Sequence, residues 1–365
     1  RREHHRLEQV AGSSMSQTLT QRDILEIKRH EGEWRSSTGL RYDTVPWKLY
    51  EKAKKFFWDP AQIDFSQDAK DWQRLSEEER LAAAVLARSF MVGEESVTLD
   101  IVPLIIGVAD EGRTEEAIYL TTFALEEAKH VEFFRLWFDA IGEDPQRIYD
   151  LADERRKQAG VQFDPTEGMF NSQLPKVMRR VLFDRSPQAF LDCGLTYNQF
   201  VEGCLAISGY KLWSQFFEDT GGFPGLQQGL MWVRRDEGRH ITYGTFLCRR
   251  ILAEHPELMD FARERLVELG NYYFRYFFGF PIDREVVRGF FDENGNLDRS
   301  KLPPAELMQI EQRLVEFLAT FMYNAWDQVD RRIQVLEKAL ELSEEEAILG
   351  AGAEDAEREL DTIVA

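Results

Sequence analysis

Two segments of this chain carry a lone glutamate and two carry Glu-x-x-His, all four within apolar helical patterns. Glu94 lies in SFMVGEESVTLDIV and Glu202 in TYNQFVEGCLAISGY, while Glu127 and His130 lie in ALEEAKH and Glu237 and His240 in RRDEGRH. Glu and His at i, i+3 project from one helical face and can bind the same ion. Two such motifs place one imidazole on each of two metals, and four carboxylates can bridge or terminate. Four carboxylates also offset the charge of two divalent cations, so a nearly neutral cluster can be buried where either component alone could not. Oxygen and nitrogen donors of this kind suit iron and manganese, and the lack of thiolates argues against structural zinc. The chemistry of such a pair is reduction of O2 and oxidation of a nearby C–H or O–H group.

The elements that must position these side chains are legible in the apolar spacing. Long helical segments are expected at roughly 76–107, 114–141, 187–218 and 224–253, with breaks at Glu111-Gly112, Gly142 to Pro145, and Gly221 to Pro224. Ser76-Glu-Glu-Glu79 reads as a capping box opening the first of them. In that segment Leu86, Phe90, Val97 and Ile101 form a stripe with Glu94 in its middle. Leu120, Phe123, Phe134 and Phe138 flank Glu127 and His130, and comparable stripes bracket Glu202 and the pair Glu237 and His240. Ionisable residues on an apolar face are costly unless paired or metal-bound. Glu94 and Glu127 are 33 positions apart, Glu202 and Glu237 are 35 apart, and 75 positions separate the two pairs. Each short gap suits an up-down helix pair, and the long one a crossover. The expected fold is therefore all-α, a ferritin-like four-helix bundle with additional helices.

Each Glu-x-x-His is preceded by a further acid, Glu126 or Asp236, four positions before the histidine. Helix geometry alone allows these as ligands too; the bundle pattern favours the i, i+3 carboxylates, with Asp236 accepting an N–H from a ligand imidazole. A single Glu-x-x-His is usually a solvated pair, and it is the matched set that favours metal. His30 and His255 lack comparable settings.

The chain has 365 residues, 43% hydrophobic and 30% charged, with a formal charge of −20. That balance argues against a nucleic-acid surface and against adsorption to anionic membranes. No run approaches the roughly 18 apolar residues of a spanning helix, and the first residues lack the apolar core of a signal peptide. Cys193, Cys204 and Cys248 have no CxxC spacing, so reduced thiols in a cytoplasmic protein are expected. Residues 1–43 read as a flexible arm, 44–285 as the metal domain and 286–365 as a helical extension with an acidic tail; no role is assigned before Met15. A helix is expected near Pro46–Trp58. The aromatic stretch NYYFRYFFGF fits core or dimer packing better than a lipid tunnel, and Asp292 to Asp298 reads as a turn rather than a calcium loop.

The segments KLYEKAKKFFWDPAQIDFSQD, GEESVT, EEAKH, TYNQFVEG, SGY and DEGRH, within residues 42–255, resemble the ligand-binding oxidases related to the ribonucleotide reductase small subunit. The resemblance implies a ferritin-like homodimer with manganese and iron, or two iron ions, beside a long-chain fatty acid or other apolar molecule. It carries the metal ligands onto Glu94, Glu127, His130, Glu202, Glu237 and His240. It further implies O2 as co-substrate, an electron donor that the residues do not identify, and an ether cross-link between Val97 and Tyr197. Val97 follows Glu94 by three and shares its face. Tyr197 precedes Glu202 by five, which an ideal helix turns away, so its role rests on the resemblance and calls for local helix distortion.

The chief rival is the radical-generating reductase small subunit. Its radical tyrosine, four residues after the first histidine, is matched here by Phe134. Its first ligand is typically Asp where this chain has Glu94, and no tyrosine follows Tyr323 for a radical route in the tail. A ferritin-like metal storage protein is the other alternative, set against it by helices that suggest substrate enclosure. Lys211, after Tyr210, departs from the family pattern, and the helix after Pro303-Pro304 is expected to cover the substrate entrance or build the dimer.

Overall fold

The computed structural model describes residues 39–158, 164–274, 283–304 and 312–349. Among these the architecture is helical, with one isolated bridge between Phe291 and Leu297. The expected arm up to residue 38, the acidic tail from residue 350, Arg275 to Phe280 of the aromatic stretch and the chain just after Pro304 lie outside the described residues.

Helix α1 (Val45–Lys55) and α2 (Ser66–Trp72) precede the first long helix, α3 (Glu77–Asp110). The capping box at its start is present: Ser76 Oγ accepts from the Glu79 backbone while Glu79 Oε2 accepts from the Ser76 N–H at 2.8 Å. Helix α4 (Thr114–Ile141) returns alongside α3 and ends at Gly142, whose φ of +75° needs no Cβ. The crossover runs through α5 (Pro145–Gln158) and α6 (Leu174–Arg180). The third bundle element starts as α7 (Pro187–Gly194), widens into the π-helix π1 (Leu195–Ala206) and resumes as α8 (Ile207–Thr220). The sequence reading places one helical segment over 187–218 and calls for a local distortion near Tyr197; the structure has a twelve-residue π segment there.

Helix α9 (Pro224–Glu254) completes the four. Its start is anchored by α2: Asp68 accepts from the backbone N–H groups of Gly225 and Leu226 at 2.9 and 2.7 Å, and Asp71 from that of Phe223 at 2.8 Å. Its flank meets the neighbours at backbone distance. A Cβ at Gly229 would lie 1.9 Å from the Phe133 ring, and one at Gly244 would lie 2.0 Å from Asn198 Cβ. Beyond the bundle, α10 (Met259–Phe274) and α12 (Gln312–Glu337) pack on each other and on π1, with α11 (Arg284–Gly289) between them in sequence. Asp292 closes the expected turn by accepting from the Asn294 and Asn296 backbones.

Candidate metal centre

The six side chains singled out by spacing converge in the bundle. Glu94 comes from α3, Glu127 and His130 from α4, Glu202 from π1, and Glu237 and His240 from α9; all are buried. Both imidazoles turn Nδ1 inward. His130 Nδ1 lies 3.3 Å from Glu94 Oε2, and His240 Nδ1 lies 3.6 Å from Glu202 Oε1. Glu127 and Glu237 each span the two histidines. Glu127 sets Oε2 3.5 Å from His130 Nδ1 and Oε1 3.1 Å from His240 Nδ1, and Glu237 sets its two oxygens at 3.5 and 3.6 Å from the same atoms. The side chains thus form two groups, Glu94, Glu127, His130 and Glu237 in one and Glu127, Glu202 and His240 in the other; Glu127 belongs to both, and Glu237 also lies 3.6 Å from His240 Nδ1.

The donor set fits two metal ions. Glu127 Oε2, Glu202 Oε1, Glu237 Oε2 and His240 Nδ1 are buried and have no hydrogen-bond partner among the described residues, a costly state that cations would relieve. Without cations, protons must hold the cluster together. Burial and the neighbouring Glu237 carboxylate push Glu202 well above the usual carboxylate range despite His240, and burial does the same to Glu94 against the pull of His130. Burial alone would lower both histidines, but the surrounding carboxylates outweigh it and raise His130 and His240 well above the ordinary imidazole value. Glu127 is driven down, because the two imidazoles overcome its burial.

The far nitrogens are held from outside. His130 Nε2 faces Asp236 Oδ2 at 3.3 Å, and His240 Nε2 faces Glu126 Oε2 at 2.9 Å. Neither acid belongs to the donor groups, although helix geometry alone allowed both as ligands. A carboxylate accepting from Nε2–H leaves the Nδ1 lone pair directed at the cluster. Asp236 also accepts from Trp58 Nε1 at 2.7 Å and from Lys129 Nζ at 3.1 Å, and Arg239 donates to both Asp236 and Glu126. Burial opposes ionisation of Asp236, yet His130, Arg239 and Lys129 hold its carboxyl far below the usual range. Asn198 Nδ2 donates to Glu202 Oε2 at 2.8 Å. Sequence reasoning missed Trp58, Lys129, Asn198 and Arg239, and left Glu126 open. Lys129, Arg239 and Asn198 sit inside the quoted motifs, where a charged or amide residue amid buried positions is the available signal.

Tyr197 lies at the cluster: its hydroxyl donates to Glu127 Oε1 at 3.0 Å. The π-helix supplies the distortion the sequence required, because i→i+5 bonding widens the turn and brings Tyr197 and Glu202 toward one face. Val97 is buried and, with Glu94, Glu127, Glu202 and Glu237, lines a cavity of about 100 Å³ whose other walls are largely apolar. Phe170, Phe321 and Tyr273 belong to those walls. Tyr273 packs in the core against Phe200 and Phe274, as expected of the aromatic stretch, and lines the cavity as well, while Phe321 brings α12 to its wall. Phe134 is fully buried against Phe90 and Phe133, and Cys193, Cys204 and Cys248 are free and buried. His255 is partly exposed and pairs with Glu257 at 3.2 Å.

A family model for the ribonucleotide reductase small chain matches residues 40–269. The R2-like ligand-binding oxidase of Sulfolobus acidocaldarius is 32% identical, with a TM-score of 0.67 over 87% of this chain and 99% of its own. Two variants of an R2-like ligand-binding oxidase, solved with an anaerobically reconstituted Mn/Fe cofactor, are 32% and 30% identical, with TM-scores of 0.65 and 0.68. Each alignment spans 84% of this chain and 99% of the other. The structure that brings the six donors together is thus shared along nearly the whole of these relatives, and the chain belongs to the ribonucleotide reductase small-chain family of oxidoreductases, with the R2-like ligand-binding oxidases.

Proposed function

We propose that this protein is an O2-activating oxidase whose metal pair, manganese with iron or two irons, is held by Glu94, Glu127, His130, Glu202, Glu237 and His240. Such a pair supplies O2 reduction and the oxidation of a nearby C–H bond. The surrounding residues prepare the site for it. Glu127 and Glu237 each face both imidazoles and would be available to both ions, while Asp236 and Glu126 fix the imidazole tautomers. The apolar wall excludes water and receives an apolar ligand such as a fatty acid. Phe170 and Phe321 are the aromatic walls against which such a ligand would pack.

The observation that carries this reading is the meeting of two different groups on one cluster: the Tyr197 hydroxyl on Glu127 and the Val97 side chain in the cavity wall. With O2 as oxidant, the Tyr197 O–H and a Val97 C–H lose their hydrogens and an O–C ether forms. Glu127 Oε1, which accepts from the Tyr197 hydroxyl, would take the phenolic proton. Phe134, in place of a radical tyrosine, favours the oxidase over the reductase subunit.

Aerobic loading with manganese and iron, followed by intact-mass and peptide analysis, tests this. A Val97–Tyr197 linked peptide, lighter by two hydrogens, supports the oxidase. Unlinked peptides with tight binding of a large partner subunit point to the reductase, and many metals per chain point to storage. We further assign residues 44–285 to the metal domain and 286–365 to an extension that helps enclose it, and expect a cytoplasmic homodimer. Among the described residues no helix is long and apolar enough to cross a membrane.

A further inference from the structure

A series of rings leads away from His240. Phe123 stacks on its imidazole with centroids 3.6 Å apart and planes 8° apart. Tyr119, one turn earlier on α4, lies 6.0 Å from Phe123, and Tyr243 on α9 lies 5.3 Å from Tyr119. All three residues are fully buried. The two hydroxyls differ in what they meet. That of Tyr119 has no partner among the described residues, whereas that of Tyr243 donates to Glu116 Oε2 at 3.0 Å. Glu116 pairs with Arg250 at 3.2 Å and Arg113 at 3.7 Å, and Arg250 reaches Glu111 at 3.2 Å. The side chains of Glu111 and Arg113 are each 29% exposed, so the series ends at a network that touches water beside the α3–α4 turn.

Packing alone does not account for these tyrosines. A phenylalanine fills the same space as Tyr119 without burying an unpaired hydroxyl, which is destabilising. The phenol has instead the property that a phenylalanine lacks, ready loss of an electron together with its proton.

We propose that Phe123, Tyr119 and Tyr243 form an exit route for oxidising equivalents from the metal centre, ending as a neutral radical on Tyr243 whose proton is held by Glu116. This rests on the oxidase reading above. When no apolar substrate is bound, and in competition with the oxidation of Val97, Tyr243 would give up one electron through the intervening rings to the metal pair, which O2 would have oxidised and which would gain one equivalent. The Tyr243 O–H bond breaks, and the proton crosses to Glu116 Oε2. A phenol that has lost an electron is a strong acid, so its proton moves to the carboxylate it already faces. Tyr119 has no acceptor, so the oxidising equivalent passes through it and comes to rest on Tyr243. A one-electron reductant of the thiol or ascorbate class restores Tyr243: the electron comes from the reductant and the proton returns from Glu116. The route spares the buried ligands from oxidation in turnovers that lack substrate.

The test uses full-length protein without added apolar ligand, loaded anaerobically with manganese and iron, exposed to O2, frozen at intervals and read by electron paramagnetic resonance. Bound metal and O2 uptake are measured on the same samples. A transient tyrosyl signal, narrowed by ring-deuterated tyrosine, is expected in the native protein and lost in Tyr243→Phe. It is weakened in Tyr119→Phe. Glu116→Gln keeps a hydrogen-bonding group but accepts no proton, and loses the signal with metals still bound; it carries the test should Tyr243→Phe fail to fold. A signal unchanged in Tyr243→Phe and Glu116→Gln, or no tyrosyl signal from protein that binds two metals and consumes O2, overturns the route. Protein that binds no metals or consumes no O2 overturns the oxidase reading and the route with it.

Discussion

Each imidazole of the cluster is held between three carboxylates in front and an acid behind, so the acids behind are as open to test as the donors. Outer partners of metal ligands typically affect affinity by about 10–100-fold. Replacing Asp236 with Ala removes the acceptor facing His130 Nε2, and Asn198→Ala removes the donor to Glu202. Each is expected to weaken metal binding by about that factor, measured by competition with a chromophoric chelator. Glu127→Ala, which takes away a carboxylate shared by both halves, is expected to abolish binding of the pair rather than of one ion. Tyr197→Phe leaves every donor in place, so two metals remain while the cross-linked peptide disappears from the mass spectrum. Retention of a Val97 adduct in that variant contradicts the assignment of the phenolic oxygen.

The elements bring these residues together through two devices, close helix approach and a widened helical turn. At Gly229 and Gly244, α9 meets Phe133 and Asn198 so closely that any side chain must displace them. Overpacking of this kind costs about 1–3 kcal/mol, so Gly229→Ala is expected to lower the thermal midpoint by several degrees. Gly244→Ala adds a second effect, because Asn198 carries the amide that steadies Glu202: weaker metal binding accompanies the stability loss. A Gly244→Ala protein with native metal affinity argues that π1 absorbs the shift without moving Glu202. The π segment itself explains why Tyr197 and Glu202, five apart, both serve one cluster.

For the molecule as a whole, metal and protons compete for the same buried groups. Glu94, Glu202 and both histidines are raised above their ordinary values, near 4.5 for the carboxyls and 6.5 for the imidazoles, in the metal-free fold. Their protons must leave before cations bind, so apparent metal affinity rises with pH from the carboxylate range through and beyond neutrality. Titration at several pH values checks the sign, and affinity independent of pH contradicts it. Binding to the folded state alone also stabilises it, by about 2.7 kcal/mol when free metal exceeds the dissociation constant 100-fold. Chelation is therefore expected to lower the thermal midpoint of the whole chain, since the donors join all four bundle elements. Enclosure by α12 is a property of the same scale: Phe321→Ala enlarges the cavity and is expected to increase retention of a long acyl ligand.

The sequence by itself brought out the six carboxylates and imidazoles that the fold gathers, and most of the bundle, because i, i+3 spacing and apolar stripes are local and survive without knowledge of neighbours. It also pointed to Asp236 behind His130. It did not reveal that Glu126 serves His240, that Trp58 joins Asp236 across 178 positions, or that Arg239 ties both acids together. Those pairings link different helices, and no periodicity within one helix encodes a partner on another. The placement of Tyr197 fell between the two: its type was visible, but an ideal helix turned it away, and only the π segment brought it to Glu127. Which carboxylates are shared was likewise a tertiary decision, since identical Glu-x-x-His motifs say nothing of the distance between two helices. Local chemistry named the donors; the crossing of α4, π1 and α9 decided what each one faces.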